Sequence, residues 1–359
     1  MKVQFGNLPA LGWDESVARI TDLARLAEEV GFDRFGVADY RYYQDCFVVM
    51  TACLQATSRL EVASLVTDPF VRHPTLTAAA IGTMEDLAPG RVILGIGGGI
   101  EQPAFWGESR RHPVQAVREA VDVCRRMWRG ETVTREGTVI RTHDAKLDFA
   151  LTTLPRVLIA ARGSRMLRLA GEIADVVHLA AWFINATHFR ENVAEVRRGA
   201  EVAGRPAGTY EIEFSIPACV SRDRARARSS AKRFAARGIL WMAAAERYSA
   251  GRTDWRPPRE FDVPRSLVER LGAEWDTWRE PDLPPELAVL IGDDLVDQFA
   301  LAGEPDECAE RMTRLVHERP EATAVRIQAY PPEGTGRFEG YRETVLGLRP
   351  TIEAAKSVH

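Results

Sequence analysis

The sequence predicts an α/β fold, a (β/α)8 TIM barrel with an excursion after strand 4 and a helical insertion after strand 7. Short, apolar, β-branched segments alternate with helical segments along the chain. Eight such strands can be counted, and strands linked through helices form a parallel sheet with right-handed crossovers. The length of 359 residues suits one barrel with insertions. We therefore expect one domain over residues 1–359, with residues 223–300 inserted into it.

The first two strands lead to the edge of the barrel at which ligands bind. Residues 3–8 form the first strand, and residues 14–31 form an amphipathic helix that a glycine ends. Residues 35–38 form the second strand, and Asp39 and Tyr40 follow at its carboxyl end. Because active sites of barrels lie at this end, both are candidate catalytic residues. A tyrosine hydroxyl can donate a proton, but Tyr40 can also be a packing residue with a satisfied hydroxyl.

The chain is organised around a strand–helix–strand unit. A helix over residues 46–55 precedes it. Residues 61–66 have the apolar, β-branched composition of a buried strand, residues 74–87 that of a helix, and residues 91–96 that of a second strand. Thr-Asp-Pro and Pro-Gly turn signals separate these segments. The unit therefore predicts two neighbouring parallel strands.

Two loops of this unit, residues 67–73 and 97–101, leave parallel strands in the same direction. Ligands bind beyond the carboxyl ends of parallel strands, so both loops are expected to face one site. Thr67 and Asp68 can hydrogen-bond a ligand or cap the local turn. His73 is a further catalytic candidate, and its other reading is a residue that caps or packs at the start of the following helix.

The glycine run in the second loop resembles a dinucleotide fingerprint only superficially. A G-x-G-x-x-G fingerprint opens a helix and is followed by an acidic residue about 20 positions later. Gly97, Gly98 and Gly99 are too closely spaced for this pattern. They predict close approach of the backbone to a flat ring or a substrate. Glu101 is the nearest carboxylate and a candidate proton donor.

The middle of the chain contains the predicted excursion. Residues 113–129 form a long helix, and residues 131–149 form a hairpin with its turn at Glu136 and Gly137. Residues 156–161 then return as the fifth barrel strand. The excursion therefore interrupts the strand–helix alternation without adding a barrel strand.

The loop after the fifth strand is a candidate phosphate site. A helix over residues 165–173 begins directly after it. Amides at a helix N-terminus and the helix dipole favour an anion. Simple capping of the helix is the other reading. The candidate residues are Ala161, Arg162, Gly163 and Ser164.

The last part of the chain completes the barrel. Strands are predicted over residues 175–180, 210–220 and 324–330, with a closing helix over residues 341–355. Residues 252–285 are rich in Pro, Trp and Arg. Exposed aromatic residues there would form a lid or a dimer surface, and a buried satellite cluster is the other reading.

Composition excludes several classes of protein. A formal charge of −4 and a pI near 6.1, without a long run of one sign, argue against nucleic-acid and membrane-surface binding. No stretch approaches the roughly 20 apolar residues of a membrane span. Five cysteines without a CxxC pair suggest buried thiols in a reducing, cytoplasmic location. No cluster has metal-ligand spacing, so a metal site is not expected.

Several motifs in fixed order resemble the bacterial-luciferase-like oxidoreductases. LVTDPFVRHP followed by GRVILGIGGG is the most specific, and ARLAEEVGFDRFGVADY and RVLIAARGSRMLRLAGEIADVVHLA extend the resemblance. REAVDVCRRMWRGETVTREGTVI and DLVDQFALAGEPDECAERM also fit. Within this superfamily the sequence is most similar to the branch that uses the deazaflavin coenzyme F420, including methylenetetrahydromethanopterin reductase. The family usually has histidine where this chain has Tyr40.

The resemblance implies an F420-dependent oxidoreductase that transfers a hydride between the reduced deazaflavin and a small organic substrate with a C=C, C=N or C=O group. It implies that the ring lies over a non-proline cis peptide at Ser64–Leu65, beside Val66, with Thr67 and Asp68 near its polar edge. It also implies that the glycine run adjoins the ring, that the loop after the fifth strand holds the phosphate, and that the enzyme is a homodimer.

Two alternatives remain open at this stage. One is a monooxygenase of the same fold that uses reduced flavin mononucleotide (FMN) and oxygen. The other is a degenerate relative that binds the cofactor without catalysis, which the loss of histidine at Tyr40 favours. Retention of Asp39, Thr67 and the phosphate loop argues against degeneration.

Overall fold

The computed structural model describes residues 1–6, 15–40, 44–99, 112–180, 186–249, 263–275 and 282–357. The chain divides into two compact units. The larger unit contains Gln4–Leu179 and Ala194–Glu213, and the second contains Met1–Val3, Ala180–Val193 and Phe214–His359.

The strands and helices alternate as the sequence predicts. The strands are β1 (Lys2–Gly6), β2 (Arg34–Val37), β3 (Glu61–Ser64), β4 (Val92–Ile96), β5 (Val133–Glu136), β6 (Arg141–Ala145), β7 (Arg156–Ala161), β8 (Val176–Leu179), β9 (Glu211–Val220), β10 (Leu301–Gly303) and β11 (Ala324–Ala329). The helices are α1 (Val17–Val30), α2 (Cys46–Ala56), α3 (Pro74–Leu87), α4 (Pro113–Trp128), α5 (Ser164–Ile173), α6 (Ala186–Val202), α7 (Arg224–Ser249), α8 (Arg265–Glu274), α9 (Pro285–Ala288), α10 (Asp293–Phe299), α11 (Pro305–His317), α12 (Arg337–Gly347) and α13 (Arg349–Ser357).

The main sheet has the strand order of a (β/α)8 barrel. Its order is β10-β9-β11-β1-β2-β3-β4-β7-β8, and β9 also pairs with β8, which closes eight strands into a ring. The pairs from β1 through β4 to β7 and β8 are parallel. β10 is an additional short strand beside β9. The predicted fold class is therefore confirmed, whereas β10 was not predicted.

Several boundaries differ from the predictions. The third strand ends at Ser64 rather than at residue 66. The hairpin turn lies at residues 138–139, closed by the Gly137 N–H on the Ile140 carbonyl (3.1 Å), and not at the predicted Glu136 and Gly137. The closing helix is two helices that meet at Leu348. Pro350 explains this break because it has no N–H to continue the helical hydrogen bonds.

The hairpin β5–β6 is attached to α4 by one buried carboxylate. Glu119 accepts hydrogen bonds from the backbone N–H groups of Thr138 (2.9 Å), Val139 (3.0 Å) and Ile140 (2.7 Å). Burial alone would raise the pKa of Glu119, but these bonds lower it to about 2. A Cβ at Gly137 would lie 2.5 Å from this carboxylate, so the close contact requires glycine.

The second unit has its own apolar core on the inserted helices. Buried side chains of α7, α8, α9 and α10 form one cluster, which includes Trp275 at 4% exposure. Trp275 is therefore part of a buried satellite cluster, which was one of the two alternatives for this segment. Trp255 and Trp278 lie outside the described residues. The extent of the insertion, residues 223–300, and its inclusion in one domain stay predictions.

The cysteines are buried thiols, as the sequence predicts. All five cysteines are buried free thiols, and burial raises the pKa of Cys53, Cys124, Cys219 and Cys308 to about 12. Such thiols are inert small hydrophobes. Among the helices that the structure describes, none is long and apolar enough to cross a membrane.

Candidate active site

The carboxyl ends of β3 and β4 are held together by a contact that only glycine permits. The Ser64 hydroxyl donates to the Gly95 carbonyl (2.8 Å) and accepts from the Gly95 N–H (2.9 Å). A Cβ at Gly95 would lie 1.8 Å from the Ser64 carbonyl oxygen. Backbone pairing resumes beyond the strand, from Thr67 N–H to Gly95 carbonyl (3.0 Å) and from Gly97 N–H to Thr67 carbonyl (2.9 Å). Gly95 was not among the predicted site residues, although the dense glycine run was a signal for it.

The non-proline cis peptide lies one bond later than predicted. It joins Leu65 to Val66, not Ser64 to Leu65. Leu65 still donates its N–H to the Val37 carbonyl (2.7 Å), so regular pairing with β2 continues through Leu65. The irregular backbone is therefore confined to the step between Leu65 and Thr67.

Asp39, at the end of β2, lies in an electrostatically crowded position beside the β3 loop. Burial raises the pKa of this carboxyl, and the neighbouring carboxylates of Asp68 and Asp45 raise it further. The Thr67 hydroxyl and Arg72 act in the opposite direction. The Thr67 hydroxyl is buried, and it has no partner with full hydrogen-bond geometry in the described part of the chain. Asp39 and Thr67, predicted separately, are thus brought together.

Asp68 fixes its own loop and contacts the glycine run. One carboxylate oxygen accepts from the N–H groups of Phe70 (2.8 Å) and Val71 (3.1 Å), which is the capping role that the sequence left open. Gly99 has a φ of 59°, and a Cβ there would lie 3.1 Å from the Asp68 carboxyl carbon. The two loops of the strand–helix–strand unit are therefore in contact.

The predicted phosphate loop adjoins the same glycine run. Gly163 has φ 77° and ψ 145°, a conformation that only glycine adopts readily, and α5 begins at the next residue. The first helical hydrogen bond runs from Leu167 N–H to the Gly163 carbonyl, so earlier amides have no acceptor within the helix. A Cβ at Gly98 would lie 3.2 Å from Met166 in the first turn of α5. Ala161 is buried, and Arg162 and Ser164 are partly exposed.

The structure provides less support for the remaining catalytic candidates, His73, Tyr40 and Glu101. His73 caps α3, with its Nδ1 2.8 Å from the Thr75 hydroxyl and its Nε2 3.1 Å from the Arg141 carbonyl in the hairpin. This is the structural role weighed for His73, and its catalytic role stays a prediction. Tyr40 is partly buried next to Asp39. Glu101 lies outside the described residues.

The groups that meet at these strand ends are suited to an anionic organic ligand. Within the described ranges, no group of three or more His, Cys, Asp or Glu side chains could hold a metal. Instead, glycine backbone, the buried Thr67 hydroxyl and a helix N-terminus adjoin one another at the carboxyl ends of β3, β4 and β7. Backbone amides at a helix N-terminus are suited to phosphate.

We expect replacement of Asp39 by asparagine to stabilise the protein at neutral pH. Because the folded pKa of Asp39 is raised, its contribution to stability is complete below the ordinary value and is lost as pH rises through the folded value. Asparagine removes the buried charge. The melting temperature at pH 7.5 should rise by about 2 °C, and the gain should vanish near pH 3. Asp86→Asn, on the exposed face of α3, is the control, and an equal gain there would contradict this explanation.

The chain is similar to several known proteins. The chain is 30% identical over 309 residues to 5,10-methylenetetrahydromethanopterin reductase of Methanolobus tindarius, covering 84% of this chain and 88% of the relative. It is 29% identical over 282 residues to an F420-dependent hydroxymycolic acid dehydrogenase of Mycobacterium tuberculosis, covering 73% of each. The solved structure of the coenzyme F420-dependent tetrahydromethanopterin reductase of Methanopyrus kandleri has the same fold, with a TM-score of 0.77 at 22% identity and 97% coverage of both chains.

The match to a family extends over most of the sequence. Residues 1–320 match the family of luciferase-like monooxygenases. This range includes the strand–helix–strand unit, the glycine run and the loop before α5. The chain therefore belongs to the luciferase-like monooxygenase family and is an oxidoreductase enzyme of that family.

Proposed function

We propose that the protein is an F420-dependent oxidoreductase that transfers a hydride between the deazaflavin and a small organic substrate with a C=C, C=N or C=O group. The main support for the proposal is the contact between the glycine run and the first turn of α5, the helix that begins directly after Gly163. The Mycobacterium tuberculosis dehydrogenase and the solved Methanopyrus kandleri reductase both bear names of F420-dependent enzymes. When bound, F420 supplies the hydride acceptor or donor.

The residues present fit such a group in two ways. The buried Thr67 hydroxyl lacks a partner of full geometry among the described residues, and a polar ring edge would satisfy it. Among the described residues, no atom beyond the two chain neighbours lies within 4 Å of a Cβ position at Gly163, which leaves space beside the start of α5. Arg162, Gly163 and Ser164 would hold the phosphate, and Val66, Gly97 and Gly98 would border the ring.

In this reaction the protein would position the cofactor and the substrate and would supply or accept a proton. Burial raises the pKa of Asp39, so its carboxyl keeps a proton up to a higher pH than an exposed aspartate does. Tyr40, Glu101 and His73 remain candidates for the same role. A cytoplasmic homodimer is part of the proposal, through the family resemblance, and light scattering of the purified protein measures its mass.

The first experiment is a titration of the protein with F420 and, separately, with FMN, followed by quenching of tryptophan fluorescence. Tight binding of F420 alone supports the proposal. Preference for FMN would favour the second candidate, an oxygen-dependent monooxygenase, which the family's description supports. Oxygen consumption with an added flavin reductase would then identify that activity. Binding of neither cofactor would favour a degenerate relative.

Replacement of Gly163 by leucine is expected to weaken F420 binding at least tenfold, about 1.4 kcal/mol. The side chain would fill the space beside the helix N-terminus and disturb a backbone with φ 77°. Gly90→Leu is the matched control because Gly90 has φ 76°, also has open space, and lies in the turn before β4. It should lose similar stability without losing affinity. Unchanged F420 affinity in folded Gly163→Leu would remove this loop from the site.

A further inference from the structure

The interior of the larger unit contains a buried network of charges. Arg34 on β2 is fully buried and pairs with Glu61 on β3 and with Glu211 on β9. Because β2 and β9 are not neighbours in the sheet, the second pair crosses the interior of the barrel. Arg156 on β7 joins both carboxylates, at 3.4 Å from Glu61 and 2.7 Å from Glu211.

One histidine is attached to this network from the side of β8. The Nδ1 of His178 lies 2.7 Å from a carboxylate oxygen of Glu213 on β9, and both side chains are at most 3% exposed. The other carboxylate oxygen of Glu213 lies 3.8 Å from Arg34. A carboxylate accepts the Nδ1 proton, which leaves Nε2 on the opposite side of the ring. Glu213 therefore sets both the tautomer and the orientation of His178.

The strand register relates His178 to the candidate active site. His178 is the Cα partner of Ala160 on β7, and partners on adjacent strands lie about 4.8 Å apart. Ala160 is in turn 3.9 Å from the position of a Cβ on Gly97. β8 ends one residue after His178. His178 thus lies at the level directly below the glycine run.

We propose that His178, oriented by Glu213, is the proton-exchanging residue at the floor of the candidate active site. The inference rests on the proposed function. When a hydride from F420 forms the new C–H bond, the second atom of the double bond takes the electron pair and requires one proton. The His178 imidazolium would give this proton from Nε2 and become neutral, and a water molecule that enters after product release would return the proton to the buried ring. Oxidation reverses the step, with neutral His178 as the acceptor.

The charged groups around the ring make this assignment specific. Glu213 faces the ring from β9, and Arg34 lies behind Glu213 from β2. A carboxylate beside an imidazole stabilises its protonated form, as in a histidine held for acid–base work.

Nuclear magnetic resonance of protein labelled with 15N-histidine tests the proposal without a known substrate. His178→Gln assigns the ring signals, and His178→Asn is the second assignment variant. We expect a proton on Nδ1 in the wild type, loss of this preference in Glu213→Gln, and a change in the His178 signals when F420 is added. His143, on the hairpin and 87% exposed, is the control whose signals should not move.

Fluorescence quenching in the same samples separates the possible failures. If F420 quenches fluorescence and the His178 signals do not move, His178 is not in the site, although the proposed function stands. If Glu213→Gln leaves the tautomer unchanged, Glu213 does not orient the ring. If F420 does not bind, the proposed function fails and the proton role fails with it.

Discussion

Replacement of Arg34 by leucine is expected to lower the free energy of unfolding by about 3–5 kcal/mol at pH 7.5, the usual cost of leaving buried charges without their partner. The guanidinium is fully buried and faces the carboxylates of Glu61, Glu211 and Glu213. Leucine fills part of the volume but removes the positive charge that these three groups share. The barrel interior would then contain excess negative charge.

Acid should reduce this difference. Burial tends to raise the pKa of Glu211, but Arg34 and Arg156 outweigh it and hold the pKa below its ordinary value. A lowered folded pKa contributes stability above the unfolded value, and this contribution is lost as pH falls through the folded value. The variant lacks most of that contribution. Its deficit should therefore be largest at neutral pH and should shrink below about pH 4.5.

Urea unfolding at pH 7.5 and pH 4 measures both effects. Arg25→Leu is the control because Arg25 forms an exposed helical ion pair with Asp22, and such pairs contribute less than about 1 kcal/mol. A deficit of similar size in both variants would show that Arg34 has no special role. A deficit independent of pH would contradict the electrostatic explanation.

Replacement of Glu119 by glutamine is expected to lower the free energy of unfolding by about 2–3 kcal/mol at neutral pH. The pKa of about 2 means that the folded protein strongly prefers the ionised carboxylate, and each pKa unit is worth about 1.4 kcal/mol. Glutamine can accept fewer of the backbone hydrogen bonds from the hairpin. The contribution of Glu119 is present above pH 4.5 and is lost as pH falls towards 2.

Hydrogen exchange locates this effect. The amides of Thr138, Val139 and Ile140 should lose protection first, because they donate to Glu119. Glu136→Gln, on the same hairpin, is the control, since Glu136 is 82% exposed in its pair with Arg141. Equal protection in wild type and Glu119→Gln would mean that other contacts hold the hairpin.

Local signals account for the parts of the fold that could be predicted. The helix Pro74–Leu87 and the strand Arg156–Ala161 have the predicted bounds. Proline and the Pro-Gly pair mark the ends of that helix, and the strand is continuously apolar after its first residue. β10 could not be predicted because Leu-Ala-Gly is too short to show a period.

The candidate site was predictable where it depends on strand ends, and not where it depends on distant partners. Asp39, Thr67, Asp68 and the glycine run were selected because they follow strands, and they lie together. The cis bond was misplaced by one position because the residues around it are ordinary strand residues. The charge network escaped prediction because Arg34 and Glu211 are 177 positions apart, and no local pattern links such residues.

The fit between Gly95 and Ser64 has a consequence for engineering the enzyme by directed evolution. A Cβ at Gly95 would lie 1.8 Å from backbone, which cannot yield, whereas one at Gly98 would meet the flexible end of Met166 at 3.2 Å. Libraries that randomise this loop would therefore lose most members at position 95 and retain many at position 98. Under the proposed function, Gly98 together with Met166 is therefore the first pair of positions to vary.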